Sequence, residues 1–306
     1  MRNVLVSLAI GAAALVFSTG VSDAQPRRAS QAAPIDVTTP SGALQVMRRI
    51  WCTETDNEPV YWFWRGDVYS RRQGEADKLL FKVEGLNVRT CAATSNAERG
   101  AGFRSVSREL LIYLDPQTGQ PLSRWTNPWT NETVDVLHVA NDPVNGEFFE
   151  RTRSGQPLRF NASFIEDHWF MTSTVPLFYP NPLAGAYQAE IGGTYHATEM
   201  FNFMGVTANL TDRSQRTASV EVGWVRISDW LPWMRMSGRE GMLYFHTAGT
   251  KVLDWNDVSP LMREEVATHY PAYRNPPPSD DVRPNVTSWM YYQRVREGTE
   301  TPPTRN

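Results

Sequence analysis

Apolar and polar residues trade places every few positions along most of this chain, the texture of short half-buried strands rather than of long helices. Residues 60–64 (Val-Tyr-Trp-Phe-Trp), 67–71 and 78–83 are rich in β-formers and are separated by Arg65-Gly66 and Gln73-Gly74. Residues 103–114, 133–140, 163–174, 194–210, 218–227 and 241–247 continue the series, and 286–295 reads as a last strand. Two segments have another period. Leu44, Val46, Met47 and Ile50 fall near helical spacing in 41–51, with Ser41 as its cap. Residues 259–269 open on Ser-Pro and predict a second short helix. Strands do not alternate with long helices, which argues against a parallel α/β sheet. The expected fold is mainly β: a single antiparallel β-barrel or strongly curved sheet with one or two short helices. Pro176, Pro180 and Pro182 predict that residues 176–185 form a loop over one end of it, with Phe178 and Tyr179 beneath.

Composition narrows the class. The chain has 306 residues, 41% hydrophobic and 21% charged, with a net charge of −3. These values exclude a disordered chain and give no general attraction to phosphate, so no nucleic-acid partner is expected. Arg2, an uncharged and mostly apolar run over residues 4–17, and Ser22-Asp23-Ala24 have the layout of a secretory signal peptide. The run is shorter than the about 20 residues of a membrane span, so no stable membrane insertion is expected after cleavage. The expected location is periplasmic or secreted. The division predicted is a signal peptide over 1–24, a flexible leader over 25–40, one β-rich domain over 41–296 and a disordered tail over 297–306. Cys52 and Cys91 stand as a candidate disulfide in such a compartment, or as two unrelated buried residues.

Two turns share one construction. Asp115-Pro116-Gln117-Thr118-Gly119 sets Pro at the second position and Gly where a left-handed residue closes the loop. Asn127-Pro128-Trp129-Thr130-Asn131 repeats it, with Asn131 at the left-handed site. The strand between them makes a meander. With Glu84-Gly85-Leu86-Asn87-Val88-Arg89, Arg108-Glu109, Trp125-Thr126-Asn127-Pro128, residues 138–145 and Trp230-Leu231-Pro232-Trp233-Met234, these turns make residues 40–295 resemble DUF1838, a family of unknown function. The resemblance implies a conserved β-rich domain and carries over no catalytic residue.

Chemistry is sparse. The five histidines, among them His138, His168, His196 and His246, show no HxH, HxxxH or HExxH spacing, and the cysteines no CxxC, so neither metal nor cofactor is expected. No G-x-S-x-G elbow, G-x-G-x-x-G or P-loop is present. Strand alternation groups Glu166 with His168 on one face, a candidate base and its orienter, and sets His138 on an apolar face. The same pattern places Tyr244 beside His246. Trp125, Asn141, Asp142, Asn145, Tyr244 and His246 are the candidate ligand contacts. The leading expectation is an exported barrel-like domain that binds a small apolar or aromatic molecule. A cofactor-independent lyase, isomerase or hydrolase using His168 with Glu166, or His138, is the alternative, and a cell-envelope interaction protein is the third.

Overall fold

Backbone hydrogen bonding in this chain is satisfied chiefly by one large antiparallel ladder. The computed structural model describes residues 33–179 and 195–305. The signal-peptide reading of residues 1–24 and most of the predicted 176–185 loop lie outside them. The strands are β1 (Val60–Arg71), β2 (Lys78–Asn96), β3 (Gly100–Leu114), β4 (Arg124–Thr126), β5 (Thr133–Asp135), β6 (Val139–Asn141), β7 (Gly146–Phe149), β8 (Ser163–Ile165), β9 (His168–Tyr179), β10 (Tyr195–Val206), β11 (Glu221–Ser228) and β12 (Met242–Val252). The helices are α1 (Pro40–Trp51), α2 (Thr207–Thr211), α3 (Pro260–His269) and α4 (Ser288–Arg296). None of these helices is long and apolar enough to cross a membrane.

Ten strands form the main sheet in the order β6-β3-β2-β1-β12-β11-β10-β9-β8, with β7 also on β3. Among the described residues no pairing joins the two ends, so the sheet is open rather than a closed barrel. It nevertheless curls. β3 and β10 stand five places apart, about 24 Å in a flat sheet. Yet Leu111 and Tyr113 of β3 share one apolar cluster with Tyr195 and Ala197 of β10.

Alternation sorts the side chains onto two faces. On β1, Val60 and Trp62 turn to the concave face, whereas Tyr61 and Phe63 join the outer cluster under α3. The concave face is filled at one end by α1, through Ala43, Val46 and Ile50. At the other end the apolar segment Trp230, Leu231, Trp233 and Met234 packs with Trp289 and Tyr292 of α4. That segment is therefore a buried plug.

Several local expectations change. The helix N-cap is Thr39, whose hydroxyl accepts from Gly42 N–H, rather than Ser41. Residues 25–40 are not flexible leader throughout: Ile35 is buried and donates its N–H to Thr211. Nor is the 297–306 tail loose as far as Arg305, which forks onto Glu265 at 2.8 and 2.5 Å. Residues 286–295 are helical, not a strand. Thr287 caps α4, and three-residue spacing lets Trp289 and Tyr292 reach one core while Tyr291 reaches another. β9 runs on through Pro176, opposite Thr198. β8 pairs β9 only as far as Phe170, so among the described residues Pro176 has a partner strand on one side alone, an edge position where a missing N–H is tolerated. The two matching turns form as expected, with Gly119 and Asn131 at φ of 70° and 61°.

Candidate functional site

The curl leaves space between the two filled ends of the concave face. A cavity of about 270 Å³ lies there, close to the lower limit of about 300 Å³ for small-molecule sites. Its walls are aromatic: Trp51 at the end of α1, Trp62 and Trp64 of β1, Phe201 and Phe203 of β10, and Trp224 of β11. Phe203 meets Trp51 edge-on at 5.1 Å and Trp62 at 5.7 Å, and Trp64 meets Trp224 at 6.1 Å. Such tilted contacts fix the rings in place while leaving ring surface free.

Trp64 owes its position to a glycine. In the β1–β2 ladder it stands opposite Gly85, where an added Cβ would fall 2.0 Å from the indole Cε2. The indole lies over that bare backbone, and any larger residue would push it away. The indole N–H groups of Trp51, Trp64 and Trp224 are buried and have no hydrogen-bond partner among the described residues. An unpaired buried donor is costly, about 1–3 kcal/mol, so these three are uncommitted donors in the wall of a cavity.

Polar groups gather on one side. Asn87 and Arg89 of β2, Glu109 of β3 and Glu199 of β10 line the same space. Arg89 donates from Nε to Asn87 Oδ1 at 3.1 Å and lies 4.8 Å over the Trp51 ring. Burial lowers its pKa to about 10, against the opposing charge of Glu109. Glu109 accepts from Asn141 Nδ2 at 3.1 Å. Burial and the charge of Glu199 raise its pKa, opposed by the Asn141 hydrogen bond and by Arg226 and Arg89. Glu199 pairs with Arg226 of β11 at 2.5 Å, and Arg226 donates to the Tyr195 hydroxyl at 2.9 Å. The cavity thus has an aromatic body and a charged side, which suits a molecule with an apolar frame and a polar head.

The residues expected from sequence fall elsewhere, with one exception. Glu166 is not on a strand at all; it sits in the β8–β9 turn at φ 53°. Trp169 is completely buried and His168 is half-exposed, 2.7 Å from Asp167, so the Glu166–His168 pair faces solvent and has no pocket to work in. The chain reverses at residues 166–167, which breaks the alternation that grouped them. His138 is buried, its Nδ1 accepting from Tyr113 N–H at 3.0 Å, so Nε2 carries the proton of the neutral ring. Burial, with help from Arg305, lowers its pKa to about 3. It lines a second cavity of only about 50 Å³ near Tyr113 and Trp233.

Trp125 packs in the core against Phe81 and Trp233, outside the large cavity. Asn141 alone reaches the site, through Glu109. Asp142 is bound to Arg108 and Arg283, and Asn145 to Asp281 and Asn285, so both hold a loop together. Tyr244 stacks on Tyr69 on the outer face, and His246 is exposed. Cys52 and Cys91 are joined by a disulfide. No cluster of three or more His, Cys, Asp or Glu suited to a metal occurs among the described residues.

The cavity residues were missed because each looks ordinary in its own strand. Glu109 gave a signal: it is the last polar residue before the apolar run Leu110-Leu111-Ile112-Tyr113-Leu114 of its strand. Arg89 gave one too, on the same strand parity as buried Cys91.

A family model described as "Protein of unknown function (DUF1838)" matches residues 57–296. The chain belongs to the DUF1838 family. Every cavity residue named above except Trp51 lies in the matched stretch of this DUF1838 protein. No curated protein matches the chain.

Proposed function

We propose that this DUF1838 protein is an exported binding domain whose barrel-like sheet holds one small, largely apolar or aromatic molecule in the tryptophan-walled cavity. The observation that carries the reading is the cavity itself, with aromatic rings on most sides and a few convergent polar groups on one. A dry core would have favoured an interaction protein of the cell envelope instead. The apolar run over residues 4–17 and the Cys52–Cys91 bond support export, since disulfides persist in oxidising compartments. Acid–base chemistry is the second reading, and one observation favours it: a carboxyl group, Glu109, held toward its protonated form beside the cavity. In that reading Glu109 replaces the His168–Glu166 pair.

Binding is tested with the neutral fluorophore N-phenyl-1-naphthylamine. The expected result is saturable enhancement with one molecule per chain. Val175 lines the cavity and is 37% exposed, which places it at the mouth. Val175→Trp should weaken binding at least about tenfold, equivalent to roughly 1.4 kcal/mol. No saturable binding, or equal binding by the variant, would overturn the proposal.

A further inference from the structure

The charged side of the cavity holds a cation and a carboxyl group that do not pair with each other. Arg89 and Glu109 arise on neighbouring strands, with Asn87 opposite Glu109 and Ser107 opposite Arg89. Each feels the charge of the other, yet no direct ion pair joins them. Arg89 uses Nε on Asn87, and its two terminal nitrogens have no hydrogen-bond partner among the described residues. Glu109 uses one oxygen on Asn141 and leaves the other without a partner there. The second pair on this side joins Arg226 to Glu199 and to Tyr195 through its two terminal nitrogens, leaving Arg226 Nε buried without a partner among the described residues. The uncommitted charge of the cavity is therefore the Arg89 guanidinium. Arg89 is half-buried and lines the cavity, so its terminal nitrogens are open to an anionic partner there.

We propose that the ligand is an aryl carboxylate, its head group between Arg89 and Glu109 and its ring between the tryptophan walls. This rests on the binding reading above. A guanidinium offers two parallel N–H donors at the spacing of a carboxylate, and such forks are among the strongest hydrogen-bonded pairs. Glu109 in its neutral form supplies an O–H to the same head group. Its surroundings favour that form through burial and Glu199, against Asn141, Arg226 and Arg89. A cavity of about 270 Å³ limits the ring system to about three rings.

Calorimetric titration of the purified protein with naphthalene-2-carboxylate and with 2-naphthamide, at about pH 6.5 where the acid is ionised, separates the charge from the ring. The carboxylate should bind at least about tenfold more tightly than the amide. Arg89→Gln should remove that preference and leave the amide within about threefold, while Arg89→Lys, which keeps the charge but not the fork, retains part of it. Glu109→Gln should keep the preference, because its N–H donates where the protonated carboxyl did. An amide that binds as well as the acid, a preference that survives Arg89→Gln, or a Glu109→Gln variant that loses it would each overturn the proposal. Binding of N-phenyl-1-naphthylamine with neither naphthalene probe would overturn the anionic ligand and spare the cavity; failure of all three would overturn both.

Discussion

Removing the Cys52–Cys91 bond should weaken the whole fold and loosen one wall of the cavity first. The bond joins the C-cap of α1 to the middle of β2 over a sequence separation of 39 residues. Closing a loop of about 40 residues in the unfolded chain costs about 13 cal/mol/K, or roughly 4 kcal/mol at 25 °C, and the double variant Cys52→Ala, Cys91→Ala gives that entropy back. For a domain of this size the midpoint of thermal unfolding should fall by roughly 8–15 °C. The loss is not spread evenly. Trp51, the residue before Cys52, is the cavity wall that stacks under Arg89. Chemical denaturation with and without reductant measures the total, and amide exchange of α1 measures the local part. The parent protein in reductant should match the double variant, and the variant should be indifferent to reductant. A change below about 1 kcal/mol, or exchange in α1 no faster than in β2, would refute the reasoning.

Other outcomes follow from single residues. Gly85→Ala places a methyl group on the Trp64 indole and should cost about 1–3 kcal/mol, read by denaturant melts, and weaken fluorophore binding in parallel. Lys251 donates from Nζ to the carbonyls of Arg49, Ile50 and Cys52 at the end of α1, and Lys251→Met, which leaves those acceptors unsatisfied, should cost about 1–3 kcal/mol in the same assay. His138 has its folded pKa lowered to about 3 from an ordinary 6.5, so the unfolded chain binds the extra proton between those values. Stability should be whole above about pH 6.5 and fall toward pH 3 by up to roughly 1.4 kcal/mol per pH unit, and His138→Gln should flatten that slope in pH-dependent melts.

The strands were legible because their signal is local. Alternation and turn chemistry fixed the β1–β3 meander and the two matching turns at Gly119 and Asn131, where positive φ is required. The Ser-Pro start placed α3 within a residue. What failed was decided at longer range. Residues 286–295 are rich in strand formers, but they fold as α4 because both sides of a helix find apolar partners there. Glu166 and His168 were grouped by alternation across a turn that no local residue announced, since Glu166 itself takes the left-handed backbone. The cavity was the least legible feature. Arg89, Glu109, Glu199 and Trp224 come from four strands, and only the curl of the sheet brings them together. That curl is set by what packs at either end, α1 and the Trp230–Met234 plug, and not by any one strand. The run Trp230-Leu231-Pro232-Trp233-Met234 stood out in the sequence as part of the family resemblance, and nothing in it showed that it faces the same interior as Trp64 and Trp224.

Native mass spectrometry of the protein purified from its own host, beside its Val175→Trp variant, tests the central claim most directly. The wild-type spectrum should show one non-covalently held small molecule per chain, lost on denaturation and absent or much reduced in Val175→Trp. A spectrum with the bare chain mass alone, or the same adduct at the same occupancy in both proteins, would contradict a ligand in the tryptophan-walled cavity.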